Sequence, residues 1–340
     1  MDRKLFISPS PHVMDRDSIP KIMYAVVGAL IPAGIGAVYF FGPRVLIVIG
    51  ITILAALLTE LGANLLLKQP LTISDGSAVI TGLLLAYNVP AEVPLWLPAV
   101  GGFVSIAIGK MVFGGLGYNP LNPALVGRAF LVASWPVHMT VFSTIPKGGT
   151  LSGIDVMTGA TPLAAFKAAR AVLLNSTEFT ADRLTEATQV VSKLYSSHSQ
   201  LFFGRIGGCI GETSALLLLI GAVFLMYRRI IGWKIPFAYV GTVALLTWIF
   251  GGTDGFFTGD ALFHVLSGGL ILGAFYMATD MVSSPITYKG RLIFGVGCGI
   301  LTVIIRLWGG YPEGVSYSIL LMNLAVPLLD RYTKPKTFGG

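Results

Sequence analysis

The sequence predicts an all-α integral membrane protein of about ten transmembrane helices, arranged as two inverted repeats of about five helices each, some of them broken. Three observations carry this. Hydrophobic residues make up 54% of the chain and charged residues 11%, where soluble domains carry roughly a quarter; mean hydropathy is +0.78. Apolar runs of spanning length recur from end to end. The 42 glycines and 19 prolines suit helices whose backbones touch and whose breaks are satisfied by neighbouring protein or water.

Windows of about 20 apolar residues place spans at 23–41, 45–67, 78–88, 95–113 and 122–137 before a polar insert. After it they fall at 210–227, 235–250, 261–279, 292–308 and 315–329. The third and fifth are short or proline-bearing enough to be half-spans. The organisation is a tail over 1–21, a first membrane repeat over 22–137, an insert over 138–204, a second repeat over 205–330 and a tail over 331–340. Within the insert, 176–200 reads as polar and partly helical, too small for an independent domain.

Lysine and arginine in short loops set orientation, because cytoplasmic flanks accumulate them. With the N-terminus inside, Arg3, Lys4, Arg16, Lys21, Lys68, Arg128, Arg228, Arg229, Lys234, Lys289, Arg291, Arg331, Lys334 and Lys336 share one side. The opposite short loops hold only Arg44 and Arg306, and 91–94, 251–260 and 309–314 hold neither residue type. Both termini are therefore expected in the cytoplasm and the insert outside it. The net charge of +7 is then topological, and no nucleic-acid partner is implied. The first 21 residues lack the apolar segment of a cleavable signal peptide.

The halves share motifs. Asp75-Gly76-Ser77-Ala78 opens one apolar run and Gly211-Glu212-Thr213-Ser214-Ala215 another; Asn119-Pro120-Leu121-Asn122-Pro123 precedes Gly127-Arg128 as Thr279-Asp280-Met281-Val282-Ser283-Ser284-Pro285 precedes Gly290-Arg291. Repeats with an odd number of spans have inverted topology, and in transporters built this way broken helices meet at a central site.

Ionisable groups in apolar runs mark candidate sites. Glu60, Asp75, Glu212, His264 and Asp280 lie in or at the ends of such runs, where a central acid costs about 2.5–3.5 kcal/mol and faces a partner or a wet cavity. Ion passage and cofactor binding are one reading of each; an interhelical hydrogen bond or a helix cap is the other. Arg128 and Arg291 read equally well as snorkelling anchors. Cys209 and Cys298 form no CxxC unit, and His12, His138, His198 and His264 show no ligand spacing, so no metal site is expected. No hydrolase constellation can be assembled, and no independent catalytic residue is expected.

The most specific stretch is Asp155-Val156-Met157-Thr158-Gly159-Ala160-Thr161. Locally it is a small-residue turn into a helix, with Thr158 or Thr161 as N-cap before Pro162 at the first helical position. Together with Ser8-Pro9-Ser10-Pro11-His12, Ser74 to Leu84, Gly117-Tyr118-Asn119-Pro120-Leu121-Asn122-Pro123-Ala124 and Met277 to Pro285, it makes the whole chain resemble the RnfD/NqrB family. The nearer resemblance is to the RnfD branch, which belongs to the Rnf complex, the ion-translocating ferredoxin:NAD oxidoreductase. More distantly, the chain is similar to the NqrB component of the sodium-pumping NADH:quinone oxidoreductase.

The resemblance implies covalent FMN, joined through its phosphate to Thr161 by a separate flavin transferase, with Asp155, Thr158, Gly159 and Ala160 as the attachment motif. Small neighbours leave room at the threonine, and the helix start favours the phosphate charge. The resemblance further implies a urea-transporter-like arrangement, a second, noncovalent flavin such as riboflavin, and the other Rnf subunits as partners. It also implies a prokaryotic inner membrane location and Na+ or H+ as the transported ion. Glu60, Asp75, Asn119, Asn122, Glu212 and Asp280 are the candidates for an ion pathway or second-flavin site. The rival readings are the quinone-reductase component, favoured less because its N-terminal extension is longer, and a urea-transporter-like solute channel without redox function.

Overall fold

The computed structural model describes residues 18–140, 142–144, 157–175, 177–204, 206–212, 214–253 and 255–334. Asp155, the Ser8 to His12 motif and the chain beyond 334 lie outside the described residues, as does the side chain of Thr158. The first half contains α1 (Ile19–Phe41), α2 (Arg44–Leu66), α3 (Ser77–Tyr87), α4 (Trp96–Ala107) and α5 (Pro123–Ser134). The insert contributes α6 (Pro136–Thr140), strands β1 (Phe142–Thr144) and β2 (Met157–Gly159), then α7 (Pro162–Leu174), α8 (Ala181–Tyr195) and α9 (His198–Phe203). The second half contains α10 (Ala215–Tyr227), α11 (Lys234–Phe250), α12 (Ala261–Leu266), α13 (Leu270–Leu272), which runs into a π turn at Gly273–Met277, α14 (Tyr288–Leu307) and α15 (Val315–Tyr332).

Ile19–Phe41, Arg44–Leu66, Trp96–Phe113 and Tyr288–Leu307 are long and apolar enough to cross a membrane, and the chain is a membrane protein. Their outward faces are apolar: Ile31, Ile35, Leu54, Leu58, Ile300 and Ile304 are all exposed, a composition that lipid rather than water accommodates. The all-α expectation holds, with one short antiparallel ribbon added in the insert, in which Phe142 faces Gly159. α3 and α5 have 11 and 12 residues; at about 1.5 Å per residue they reach roughly 16 and 18 Å, about half of a bilayer core. The run at 261–279 is broken between Leu266 and Leu270.

Packing recurs between the halves. α2 packs on α3 and α4, and α4 on α5; α11 packs on α12 and α14, and α14 on α15. The halves meet through α1 against α10 and α5 against α15. The Tyr87 hydroxyl donates to the Leu30 carbonyl of α1 at 2.8 Å, and the Tyr276 hydroxyl to the Leu218 carbonyl of α10 at 2.7 Å. The α1–α10 contact depends on Gly221, where a Cβ would collide with the Ala29 carbonyl and the Tyr276 hydroxyl.

The motif pairings read from the sequence are displaced by this packing. Asp75 to Ala78 opens α3, the third helix of its half, whereas Glu212 to Ala215 opens α10, the first. Asn119 to Pro123 leads into α5, but Thr279 to Pro285 leads into α14, whose packing counterpart is α4. The cause is chemical: a polar cap followed by an apolar run is what every helix entering the membrane needs, so it does not mark one repeat position.

The insert docks on one end of the second half. Lys167 donates to the carbonyls of Gly309 and Tyr311. Arg170 donates to those of Leu307 at 3.3 Å and Phe250 at 3.1 Å. These acceptors lie at or just beyond the C-termini of α14 and α11, where unpaired carbonyls favour cations. His198 Nε2 and Asp260 Oδ2 lie 2.7 Å apart. The Phe166 ring packs among Tyr195, Phe263 and His264.

Gly221→Leu is expected to lower stability by about 1–3 kcal/mol through overpacking, read as a lower thermal unfolding midpoint in detergent. Gly241→Ala, where a Cβ meets nothing within 4 Å, serves as the control and should melt like the parent. Equal midpoints for all three proteins would refute the close α1–α10 contact.

Candidate functional site

Two cavities lie at opposite ends of the bundle. At the insert end, Gly159 closes the ribbon, Ala160 is exposed, and Thr161 takes the extended backbone of an N-cap with φ −62° and ψ 155°. Its hydroxyl accepts from the Ala164 N–H at 3.2 Å, and Pro162 follows at the first helical position. Of the two expected caps, Thr161 is the one used. Its side chain is turned inward: Thr161 is 5% exposed and lines a cavity of about 710 Å³ with Arg128, Ala164, Tyr311, Glu313 and Tyr317. A smaller recess brings it beside Gly207, Gly208, Glu212 and Gly268. The Tyr311 and Tyr317 rings stack, with centroids 5.0 Å apart.

Arg128 organises this end. It is buried, donates to Asn88 Oδ1 at 2.5 Å and to the Glu313 carboxylate, and lies 3.6 Å from Glu212 Oε1. The segment carrying Glu212 is held beside Asn88 because Ile210 N–H donates to the Val89 carbonyl at 3.0 Å and Cys209 bridges to Pro90. Arg306 is also buried and donates to the carbonyls of His264 at 2.5 Å, Ser267 at 3.2 Å and Glu313 at 2.9 Å. This corrects the expected placement of Arg128 among the cytoplasmic boundary cations. It sits inside a half-length helix, and the acid that pairs with it comes from a loop 185 residues later. Charge counting in loops is blind to such a partner.

Ligand atoms of Cys209, Glu212 and Glu313 come within 4.8 Å of one another, a spacing that would suit a metal. The compensating charge there is the Arg128 guanidinium, which contacts all three side chains.

The opposite cavity, about 810 Å³, is lined by Ser77, Lys110, Asn119, Asn122, Tyr276 and Asp280 among others. Asp75 Oδ1 accepts from the Ser77 N–H at 2.7 Å and from its hydroxyl at 2.5 Å. Lys110 Nζ donates to Ser77 Oγ at 2.6 Å and to Glu60 Oε1 at 2.8 Å, and Thr72 donates to the same Glu60 oxygen at 2.5 Å. Asn122 caps α5, accepting from Ala124 and Leu125, and donates to the Met277 carbonyl at 3.2 Å. Asn119 donates to the Leu121 carbonyl at 3.0 Å, and Asp280 accepts from the Ser283 hydroxyl at 2.8 Å.

The sequence candidates thus divide. Asn119, Asn122 and Asp280, with Asp75 through Ser77 and Glu60 through Lys110, gather around one cavity, while Glu212 shares the smaller recess at the other end with Thr161. A thin layer separates the two: Asn88 donates to Met277 Sδ at 3.4 Å while accepting from Arg128. Asn122 and Arg128 stand six residues apart on α5, about 9 Å along a helix. Lys110, Glu313, Asn88 and the tyrosine pair were not singled out by the sequence. Lys110 left a signal, a lone cation in an apolar window; Glu313 left only its position in a loop without Lys or Arg.

A family model described as the NQR2, RnfD, RnfE family matches residues 6–339. The chain is 48% identical over 333 residues to the D subunit of the proton-translocating ferredoxin:NAD(+) oxidoreductase complex of Clostridium ljungdahlii, covering 98% of this chain and 96% of the relative. It is 46% identical over 337 residues to the D subunit of the Na(+)-translocating ferredoxin:NAD(+) oxidoreductase complex of Acetobacterium woodii, covering 98% and 95%. It is 39% identical over 334 residues to the D subunit of the ion-translocating oxidoreductase complex of Stutzerimonas stutzeri, covering 96% and 94%.

Lys110→Met strands the buried Glu60 carboxylate with Thr72 alone, and is expected to cost about 3–5 kcal/mol, as loss of one partner of a buried pair does. Adding Glu60→Gln should recover most of that loss in thermal unfolding. A single variant that melts like the parent would show that the pair is not sealed from water.

Proposed function

Because this chain belongs to the NQR2, RnfD, RnfE family, we propose that it is the RnfD-type membrane component of an ion-translocating ferredoxin:NAD oxidoreductase, carrying FMN covalently on Thr161 and passing electrons in step with Na+ or H+ movement. One observation carries the cofactor assignment: the Thr161 hydroxyl stands at a helix N-terminus in the wall of a cavity that also holds Arg128 and two stacked tyrosines.

FMN supplies one- and two-electron chemistry that no side chain of this chain offers. The protein's part is to hold it. Thr161 provides the ester oxygen. The positive end of α7 favours a phosphate charge, with the Ala164 N–H already on the Thr161 oxygen, and Arg128 offsets Glu212 and Glu313 across the same space. The Tyr311 and Tyr317 rings offer an apolar face for an aromatic ring. Because Thr161 is buried, the flavin transferase has to act before the insert closes over 309–313 or when it opens; Asp155 serves recognition by that enzyme.

The opposite cavity suits a second, noncovalent flavin such as riboflavin. Asn119 and Asn122 bring amide groups, which both donate and accept, beside Phe275, Tyr276 and Asp280. The same polar groups, with Glu212 beyond the partition, are the candidates for handling the ion. Glu60 and Asp75 are already engaged by Lys110 and Ser77, which leaves them less free to bind one.

The proposed setting is a prokaryotic inner membrane, with both termini cytoplasmic and the insert outside, in company with the other Rnf subunits. Removing Arg128 from the count leaves the lysine and arginine bias of the remaining loops in place. The recurring α2–α4 and α11–α14 packing supports two inverted, urea-transporter-like repeats.

Expressed with its flavin transferase, the denatured chain should retain flavin fluorescence in a gel, and peptide mass analysis should place FMN on Thr161. Thr161→Ala, which costs about 1 kcal/mol as a lost cap and should still fold, is expected to abolish the fluorescence. Undiminished fluorescence in that variant would overturn the assignment.

A further inference from the structure

α7 reaches the ends of α11 and α14 through cations, and those cations also line a cavity outside the two described above. It encloses about 550 Å³ beside Phe166, Lys167, Arg170, Leu174, Arg306 and Leu307, and its lining holds no carboxylate among the described residues. Arg170 is 8% exposed; its two terminal nitrogens donate to Phe250 and Leu307 carbonyls, but its Nε–H is buried without an acceptor among the described residues. Helix-end carbonyls offer only partial negative charge. Arg306 feels the Glu313 and Glu212 carboxylates. Among the described residues Lys167 has no such partner, and burial pushes its pKa down; burial does the same to Arg170, with Tyr195 acting against it. Among the described residues, then, these cations meet no anion to match them.

Its surroundings say where that anion comes from. Phe250 and Leu307 are the last residues of their helices, so the cavity stands at the level where a membrane meets water. Phe256 and Trp308 are 70% and 61% exposed, and both rings pack edge-on against Phe250, with centroids 5.8 and 6.1 Å away. Trp248 and Phe257 form a neighbouring exposed pair. Such aromatic girdles sit at headgroup depth. On α14, Ile293, Val296, Ile300 and Ile304 are exposed at helical spacing and end one turn before Trp308.

The geometry points to a binding site for an acidic phospholipid. Its phosphodiester lies against Lys167 and the Arg170 Nε–H, its glycerol region beside the Phe250–Trp308 rings, and an acyl chain along the α14 stripe. Basic pockets at helix ends bind lipid headgroups by this combination of charge and apolar contact. The site is independent of any flavin at Thr161. It fastens the insert to the membrane half from the outside, adding to the hydrogen bonds from α7 to backbone carbonyls and to the packing of the Phe166 ring.

The test uses the full purified chain, delipidated in detergent, with its thermal unfolding followed during titration with phosphatidylglycerol, phosphatidylcholine or inorganic phosphate. Phosphatidylglycerol should raise the midpoint, and the other two should not. Lys167→Gln should raise the phosphatidylglycerol concentration needed for half the shift about fivefold, the effect of one basic charge near a lipid surface. Lys167→Gln with Arg170→Gln should raise it about 25-fold at the same factor per charge. Equal shifts from phosphatidylcholine would overturn the proposal, as would inorganic phosphate reproducing the shift, which would make this a free-anion site. An unaltered phosphatidylglycerol response in Lys167→Gln would also overturn it. Should loss of the Arg170 contacts unfold the double variant, the lipid comparison on the parent chain and the single variant still decide the matter.

Discussion

The C-terminus of a helix that stops inside a membrane leaves carbonyls with no water to receive them, and a cation has to be brought to that point. Two short helices here raise that demand. At the end of α3 the Asn88 side chain takes the Leu84 carbonyl and in turn accepts from Arg128. α12 ends at Leu266, and Arg306 takes the carbonyls of His264 and Ser267. Each arginine is then a buried charge needing its own compensation, and one residue provides for both: the Glu313 carboxylate pairs with Arg128 while its carbonyl accepts from Arg306. The loop from 308 to 314 is fixed by that double duty, and the insert is fixed in turn, because Lys167 holds the same loop.

The position of Thr161 follows from this chain of dependence. Two arginines and two glutamates, equal in formal charge, meet near it. In the function proposed above, a diester phosphate would add one negative charge there. The nearest compensation is the α7 N-terminus, equivalent to roughly half a positive charge, on which Thr161 is the cap. Thr180 stands at the start of α8 in the same way, but it is exposed, whereas Thr161 is buried in a cavity wall.

Much of this was legible in the sequence, and the failures share a cause. Membrane helices announce themselves through composition, so Val45 to Leu67 and most other apolar runs coincide with helices, the run at 261–279 being broken. A cap at Thr158 or Thr161 was legible because Pro162 suits the first helical position, and the structure uses Thr161. Glu60 and Asp280 were legible as costly acids. What could not be read was pairing. Glu313 owes its importance to Arg128, 185 positions away, and Lys110 to Glu60, 50 positions away. The offset repeat pairings fail for a related reason: helix-entry chemistry is local and common to all entries, whereas repeat correspondence is a property of packing.

The same guanidinium pair constrains how ion movement can be coupled to electrons. From the cavity of Asn119, Asn122 and Asp280, the next full charges along α5 and across the broken helices are Arg128 and Arg306, about 9 Å beyond Asn122 by helix rise in the case of Arg128. A cation moving inward leaves amide oxygens for two guanidiniums set among the Glu212 and Glu313 carboxylates, and at short range in a low-dielectric interior the balance among those four groups decides its energy. In the function proposed above, ion passage responds to a change in charge at the Arg128–Glu313–Glu212 level, or takes a route along an interface with a neighbouring protein of the complex that bypasses it. A redox group held beside Arg128 is placed where its own change in charge acts on that level directly, and this is the physical argument for keeping cofactor and arginine in one cavity.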